Sequence, residues 1–211
     1  MLLQYESERI PLAGGELLYW PRFLETRDAE ALFECIRDRV PWVQSKICIA
    51  GRQLPIPRLN AWYGDSGTEY GYSGTRLPVN SWLPELDSLK SRVARASGSA
   101  FNCALLNLYR DGRDSVDWHS DNEPELGRTP IVATLSLGAE RRFDLRPRRR
   151  DMGKLETGRA RARKTQCLHL PAGSLLVMAG DTQRNWQHRV PKMSTEIGER
   201  ISVTFRYVES N

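Results

Sequence analysis

The chain carries three histidines, His119, His169 and His188, and one of them stands two residues before an aspartate in the run DWHSD. On an extended segment residues i and i+2 share a face, so the His119 imidazole and the Asp121 carboxylate can converge on one point. A second imidazole from a distant strand, His169 or His188, would complete a face of two histidines and one carboxylate. Such a set fills three adjacent positions of an octahedral metal and leaves three open, which suits non-haem Fe(II) and oxygen chemistry. It differs from the closed tetrahedral shell of structural zinc. Alone, H-x-D is a common coincidence, and its weight depends on what accompanies it.

What accompanies it is a C-terminal strand. Residues 201–205 (ISVTF) are bracketed by Arg200 and Arg206, six positions apart and therefore on one face. Two guanidiniums directed into a sheet core need anionic partners, because an unpaired buried charge is very costly. Structural salt bridges would serve. So would a dicarboxylate ligand, gripped through the bidentate fork that arginine offers a carboxylate.

The elements that must position these groups follow from length and pattern. With 211 residues, 40% hydrophobic and 27% charged, the chain is long enough for one domain with a proper core and is neither fibrous nor disordered in composition. No apolar run approaches the roughly 20 residues of a membrane helix. Glu6, Glu8 and Arg9 interrupt any secretory leader, so a cytoplasmic protein without membrane contact is expected. Cys35, Cys48, Cys103 and Cys167 are scattered without a C-x-x-C pair, which speaks against a zinc knuckle or a disulfide framework.

Helical periodicity predicts helices at 26–39, capped by Thr26 and stopped before Pro41, and at 84–97, ending at Gly98. Strands are expected at 46–49 and 52–59. From residue 100 onward about eight more alternate with turn residues: 104–109, 116–119, 131–137, 142–146, 167–170, 174–178, 187–190 and 201–208. That density of short strands implies an α+β protein with a β-sandwich or jelly-roll core, buttressed by the N-terminal helices. One domain spanning 1–211 is expected.

The net charge is +5, and the run 141–164, RRFDLRPRRRDMGKLETGRARARK, is far more basic than acidic. It reads either as a solvated surface hairpin or as a ribbon facing phosphates, since clustered guanidiniums release counterions from a nucleic-acid backbone.

Taken together, NLYRDGRDSVDWHSD, NEPELGRTPIVATLSLGAERRF, DTQRNWQHRVP and ERISVTFRY resemble the AlkB family of Fe(II)- and 2-oxoglutarate-dependent dioxygenases. The resemblance is strongest to the homologue 3 branch of nucleic-acid demethylases and runs from about Pro41 to Val208. It implies a double-stranded β-helix, with a nucleotide-recognition segment at about 20–100 and a catalytic core at about 101–208. It implies His119, Asp121 and His188 as iron ligands, leaving His169 at the surface. For 2-oxoglutarate it implies Asn107 and Tyr109 as hydrogen-bond donors, Arg200 at the distal carboxylate, Arg206 nearer the keto-acid end and Asp121, and a hydroxyl contact from Thr204. Ser202 stands where the family often has Asn.

The implied reaction is oxidative demethylation of N-alkylated bases such as 1-methyladenine and 3-methylcytosine in DNA or RNA, with molecular oxygen as oxidant. Formaldehyde, succinate and carbon dioxide are released. The same chemistry on tRNA or protein, or a catalytically silent binding module, are the rival readings. The target base must be extruded or already single-stranded. By resemblance Tyr72 in Tyr70-Gly71-Tyr72 stacks on it, with Tyr70 nearby. Methylated bases of this kind are cationic, so an acid beside them should select for them. The family often has an acid directly after the ligand Asp. Here Asn122 and then Glu123 occupy the region and share that assignment, while Trp42 and Arg58 match positions lining nucleotide entry. The 46–58 segment lacks the aromatic wedge by which duplex-acting relatives fill the gap of a flipped base, so single-stranded DNA or RNA is the expected partner and a monomer the expected state.

Overall fold

A computed structural model describes residues 7–49, 51–68, 71–72, 75–76, 78–148 and 165–209. The two stretches of helical periodicity form α1 (Thr26–Arg39) and α2 (Pro84–Ser97). Val40, held extended ahead of Pro41, closes α1. Gly98 closes α2 in the left-handed conformation, φ 66°, with its N–H on the Ala94 carbonyl. The cap of α1 corrects the expectation. Glu25 is the extended N-cap, no side chain bonds there, and Thr26 is already helical.

The strands are β1 (Glu8–Ile10), β2 (Glu16–Trp20), β3 (Lys46–Ile49), β4 (Arg52–Pro55) and β5 (Leu59–Gly64), then β6 (Gly71–Tyr72), β7 (Thr75–Arg76) and β8 (Val79–Asn80) ahead of α2. After α2 come β9 (Cys103–Tyr109), β10 (Val116–His119), β11 (Val132–Gly138), β12 (Arg141–Pro147), β13 (Gln166–Leu170) and β14 (Leu175–Ala179). A short α3 (Thr182–Asn185) leads to β15 (Trp186–Val190) and β16 (Arg200–Arg206). The expected 52–59 strand is therefore two strands, β4 and β5, broken at residues 56–58. Strands β1 and β2 were not expected.

A major sheet runs β1-β2-β14-β11-β16-β9-β5-β8 and a minor sheet β10-β15-β12-β13, with β3–β4 and β6–β7 as separate hairpins. The pairs are antiparallel apart from β5 with β8. Three layers result. One apolar cluster joins Ile36, Leu86, Leu89 and Val93 of the helices to Leu106, Leu135, Ile201, Val203 and Phe205 on one face of the major sheet. A second lies between the sheets and joins Tyr109, Val132, Leu176 and Met178 to Phe143, Leu145, Leu170, Trp186 and Val190. This is the jelly-roll core, with α1 and α2 packed on the outer face of the major sheet.

The outer face of the minor sheet is ionic. Asp144 on β12 is fully buried beneath Arg142 and Arg189, whose Nε atoms donate to its two oxygens at 2.6 and 2.9 Å. Burial alone would raise its pKa, yet the two guanidiniums hold it below the ordinary carboxylate value. A depressed folded-state pKa adds stability above the unfolded value, and that contribution is lost as pH falls through the folded one. Asp144→Asn is expected to cost about 2 kcal/mol in urea unfolding at pH 7. The deficit against wild type should shrink in strong acid, where the wild-type carboxylate is also neutral.

Cys103 is buried on β9, and burial pushes its thiol up to about 12, while Cys48 and Cys167 are exposed. Alkylation of the folded protein at pH 8 should modify Cys48 and Cys167 and leave Cys103 intact until the chain is unfolded.

Candidate active site

Alternation along β16 builds one wall. Ile201, Val203 and Phe205 turn to the helices, while Arg200, Ser202, Thr204 and Arg206 line a cleft between the sheets. Their cross-strand partners extend the polar wall: Tyr109 faces Arg200 and Asn107 faces Ser202 on β9, and Thr134 faces Thr204 on β11. The minor sheet supplies the opposite wall, with His119, Phe143, His188 and Val190.

His119 and His188 are direct cross-strand partners, and the register of β10 against β15 slips by one residue between Val116 and His119. That bulge re-aims the end of β10, as bulges beside functional sites do. The ring centroids of His119 and His188 lie 4.2 Å apart. One ligand atom from each of His119, Asp121 and His188 falls within 4.8 Å of the others, and among the described residues this is the one cluster fit to hold a metal ion.

Supporting contacts orient each ligand. His119 Nδ1 lies 2.8 Å from the Asp117 carbonyl, which can only accept; the proton therefore sits on Nδ1 and the Nε2 lone pair is left for a metal. His188 stacks on Phe143 at 5.3 Å. The Asp121 N–H donates to Gln183 Oε1 at 3.0 Å, and Asp121 Oδ1 accepts from Arg206 Nη2 at 2.8 Å. On the outer face, the Arg146 and Arg189 guanidiniums lie 4.2 and 4.5 Å from the Trp118 ring and brace the strand that carries His119.

Protonation states suit a metal. Burial, with the neighbouring His119, lowers His188 to about 3, and burial also lowers His119, so both imidazoles are neutral. Burial would raise Asp121, but Arg206 and the two histidines bring it down to about 2. Two neutral nitrogens and one carboxylate form a donor set matched to Fe(II).

The cleft is also cationic. Arg58, Arg200 and Arg206 line it against the single carboxylate of Asp121. Arg200 is 1% exposed, gives Nη2 to Ser136 Oγ at 2.8 Å, and leaves Nε and Nη1 buried without a hydrogen-bond partner. Buried donors of this kind imply an absent acceptor, because an unmet charged N–H is costly. A dicarboxylate fits that demand. Asn107 lines the cleft and accepts from Arg58 Nε at 2.9 Å through its side-chain oxygen. Thr204 is buried and bonded to Thr134 at 3.3 Å.

His169 is exposed on β13 and pairs with Glu140 at 3.0 Å, away from the cleft. Trp42 donates Nε1 to the Arg37 carbonyl and packs on the helical core, outside the cleft lining. Asn122 is exposed, and with its side-chain amide turned end for end it donates to the Ser120 carbonyl and accepts from Arg148 Nη1. Glu123 caps a 3-10 turn at Pro124–Leu126, and its Oε2 is buried without a hydrogen-bond partner. Tyr70 lies outside the described residues. For Tyr72 only the backbone, in β6, is described. Of the basic run, Arg149 to Lys164 lie outside the described residues as well, and Arg141 proves fully buried, which removes it from any surface ribbon. Sequence reasoning missed Gln183, Ser136 and the Asp117 carbonyl, none of which carries a motif.

Residues 16–206 match the 2OG-Fe(II) oxygenase superfamily. The chain belongs to that superfamily. Its cofactor is Fe(II) and its co-substrate 2-oxoglutarate, in line with the donor set and the unmet guanidinium just described. Within the superfamily it is an AlkB-family dioxygenase. It is 40% identical over 205 residues to alpha-ketoglutarate-dependent dioxygenase alkB homolog 3 of Rattus norvegicus, covering 97% of this chain and 68% of the relative. The Homo sapiens homolog 3 is also 40% identical, over 97% of this chain and 70% of its own length. The DNA oxidative demethylase ALKBH2 of Arabidopsis thaliana is 38% identical, over 92% and 67%. The solved structure of OsALKBH1 superposes with a TM-score of 0.62 over 96% of this chain and all of that one, at 15% identity, and so shares the fold. Among the described residues no helix is long and apolar enough to cross a membrane.

Proposed function

We propose that this dioxygenase removes N-methyl groups from bases such as 1-methyladenine and 3-methylcytosine in DNA or RNA, with His119, Asp121 and His188 as its iron ligands. The observation that carries the reading is the meeting of two neutral imidazoles and an ionised carboxylate across a cleft from a buried guanidinium with two unmet N–H groups. The name of the relative ALKBH2, a DNA oxidative demethylase, supports a methylated nucleic acid as the substrate class. Bound Fe(II) supplies the oxygen chemistry that couples decarboxylation of 2-oxoglutarate to oxidation of the methyl carbon, which leaves as formaldehyde.

The chain's own groups do the positioning. Arg200 holds the distal carboxylate of 2-oxoglutarate, Asn107 and Tyr109 donate to the acid, Thr204 adds a hydroxyl, and Arg206 keeps Asp121 ionised and oriented. Tyr72 is the residue assigned to stack on the extruded base. The unpartnered oxygen of Glu123, beside Asn122, attracts the positive charge of a methylated base. The β3–β4 hairpin has an exposed Leu54 but no aromatic wedge at its tip, which favours single strands.

The test is formaldehyde release from methylated single- and double-stranded DNA and RNA, against His119→Ala as blank. Turnover on 3-methylcytosine in single strands is the expected result; none on any nucleic acid would overturn the reading. In the same assay Glu123→Gln is expected to raise KM for cationic methylated bases by roughly tenfold, while a neutral methylated base changes little. An equal change on both would remove Glu123 from base selection.

A further inference from the structure

Arg141 opens β12 and points inward with Phe143 and Leu145, 1% exposed. Its contacts are unusual for a buried cation. Nη1 donates to the Asp111 carbonyl at 3.0 Å, and Nη2 to the carbonyls of Asp114 and Pro191 at 2.8 Å each, while Nε has no partner. No carboxylate oxygen receives any of these bonds. The nearby Asp114 is committed to Arg110, and Asp111 to Arg113. The hydrogen bonds of this buried positive charge go only to neutral carbonyls; the Asp114 and Asp111 carboxylates act on it through space, yet burial still disfavours it.

The geometry around Tyr109 links this charge to the cleft. The Arg141 guanidinium carbon lies over the Tyr109 ring, 5.4 Å from its centre, and that of Arg200 lies over the same ring at 5.2 Å. Two buried cations thus share one aromatic ring at the end of the cleft, each disfavoured by burial, and Arg141 adds repulsion to Arg200. Arg200 is the one of the two that lines the cleft.

We infer that Arg141 is a positioning residue for the dianionic co-substrate: it reinforces, through Tyr109 and the shared positive field, the demand of Arg200 for a distal carboxylate, and so selects dicarboxylic over monocarboxylic 2-oxo acids. The inference rests on 2-oxoglutarate lying against Arg200 as proposed above. Its second task is mechanical. By holding the carbonyls of Asp111, Asp114 and Pro191 it joins the loop after β9 to the loop after β15. Those loops also meet at Gly112, where a Cβ would lie 2.9 Å from the Met193 carbonyl.

The two tasks separate when two ligands are compared. 2-Oxopentanoate keeps the keto acid and chain length of 2-oxoglutarate and lacks the distal carboxylate. Equilibrium binding of both acids to the full chain loaded with Mn(II), without oxygen, is measured by calorimetry for wild type, Arg141→Gln and Arg141→Lys. Arg141→Gln should weaken 2-oxoglutarate about tenfold, as expected for one unit charge a short distance away at reduced dielectric, and 2-oxopentanoate less than about twofold. Arg141→Lys keeps the charge and should keep the preference within about threefold. Equal weakening of both acids by Arg141→Gln would reduce Arg141 to a structural strut. Should that variant not fold, loss of the preference in Arg141→Lys overturns the inference by itself. A wild-type chain that binds both acids equally would sink the Arg200 assignment as well, which distinguishes that failure from a failure of Arg141 alone.

Discussion

Asp121→Asn is expected to abolish turnover and to destabilise the fold at the same time. The side chain keeps its shape but loses the charge that a divalent ion requires. Loss of a supporting partner of a metal ligand typically costs about 10–100-fold, and loss of a charged ligand exceeds that range. The stability effect has a separate origin. Asp121 and Arg206 are 1% and 3% exposed in their side chains and meet at 2.8 Å, so the substitution removes the negative member of a buried ion pair. About 3 kcal/mol should disappear from urea unfolding of the metal-free chain. Calorimetry with Mn(II), formaldehyde release and an unfolding curve report the three consequences. Unimpaired metal binding would exclude Asp121 from the ligand set.

Arg200→Met is expected to separate affinity from stability. Arg200 is a buried cation that donates to Ser136 and lies over the Tyr109 ring, with Nε and Nη1 lacking a hydrogen-bond partner. Exchanging such a group for an apolar side chain of similar length is commonly neutral or stabilising, so unfolding should show no loss, or a gain of about 1 kcal/mol. Removing one member of a buried charge pair formed on binding costs about 2–5 kcal/mol, which places the loss in 2-oxoglutarate affinity at roughly a hundredfold. Metal binding should change little, since no ligand is touched. A variant that unfolds readily and still binds 2-oxoglutarate normally would mean that the guanidinium serves the core.

The alternation that makes these predictions possible was legible in the text of β16, because a strand has period two and two arginines six positions apart bracket an apolar core. The bounds of α1 and α2 were legible for a similar reason: a helix that covers one face of a sheet must repeat its apolar residues every three to four positions. Ambiguity began where the decision belonged to a partner strand. His169 and His188 both sit in short strands, and only the pairing of His188 with His119 across β10 and β15 brings it beside the His119–Asp121 pair while His169 faces solvent. Arg141 and Arg142 are adjacent and chemically identical, yet one is buried behind Tyr109 and the other lies half-exposed over Asp144. No property of the residues distinguishes them before the sheet forms. Strand β2 was invisible because both of its faces are covered. Leu17 enters the layer between the sheets and Leu18 packs toward the helices, so ELLYW shows no alternation.

The division of the site between two walls has a consequence for how the enzyme can fail. The proposed metal donors His119 and His188 belong to the minor sheet, and the groups proposed to grip the keto acid, Asn107, Tyr109, Arg200 and Thr204, belong to the major one. Their relative offset is maintained by Leu176, Met178, Phe143 and Trp186, of which Phe143 alone lines the cleft. Trimming Met178 would alter the alignment of the two halves while each keeps its own affinity. The expected phenotype is wasted turnover, in which succinate accumulates faster than formaldehyde. A random library screened for that imbalance would return substitutions in the greasy seam between the sheets.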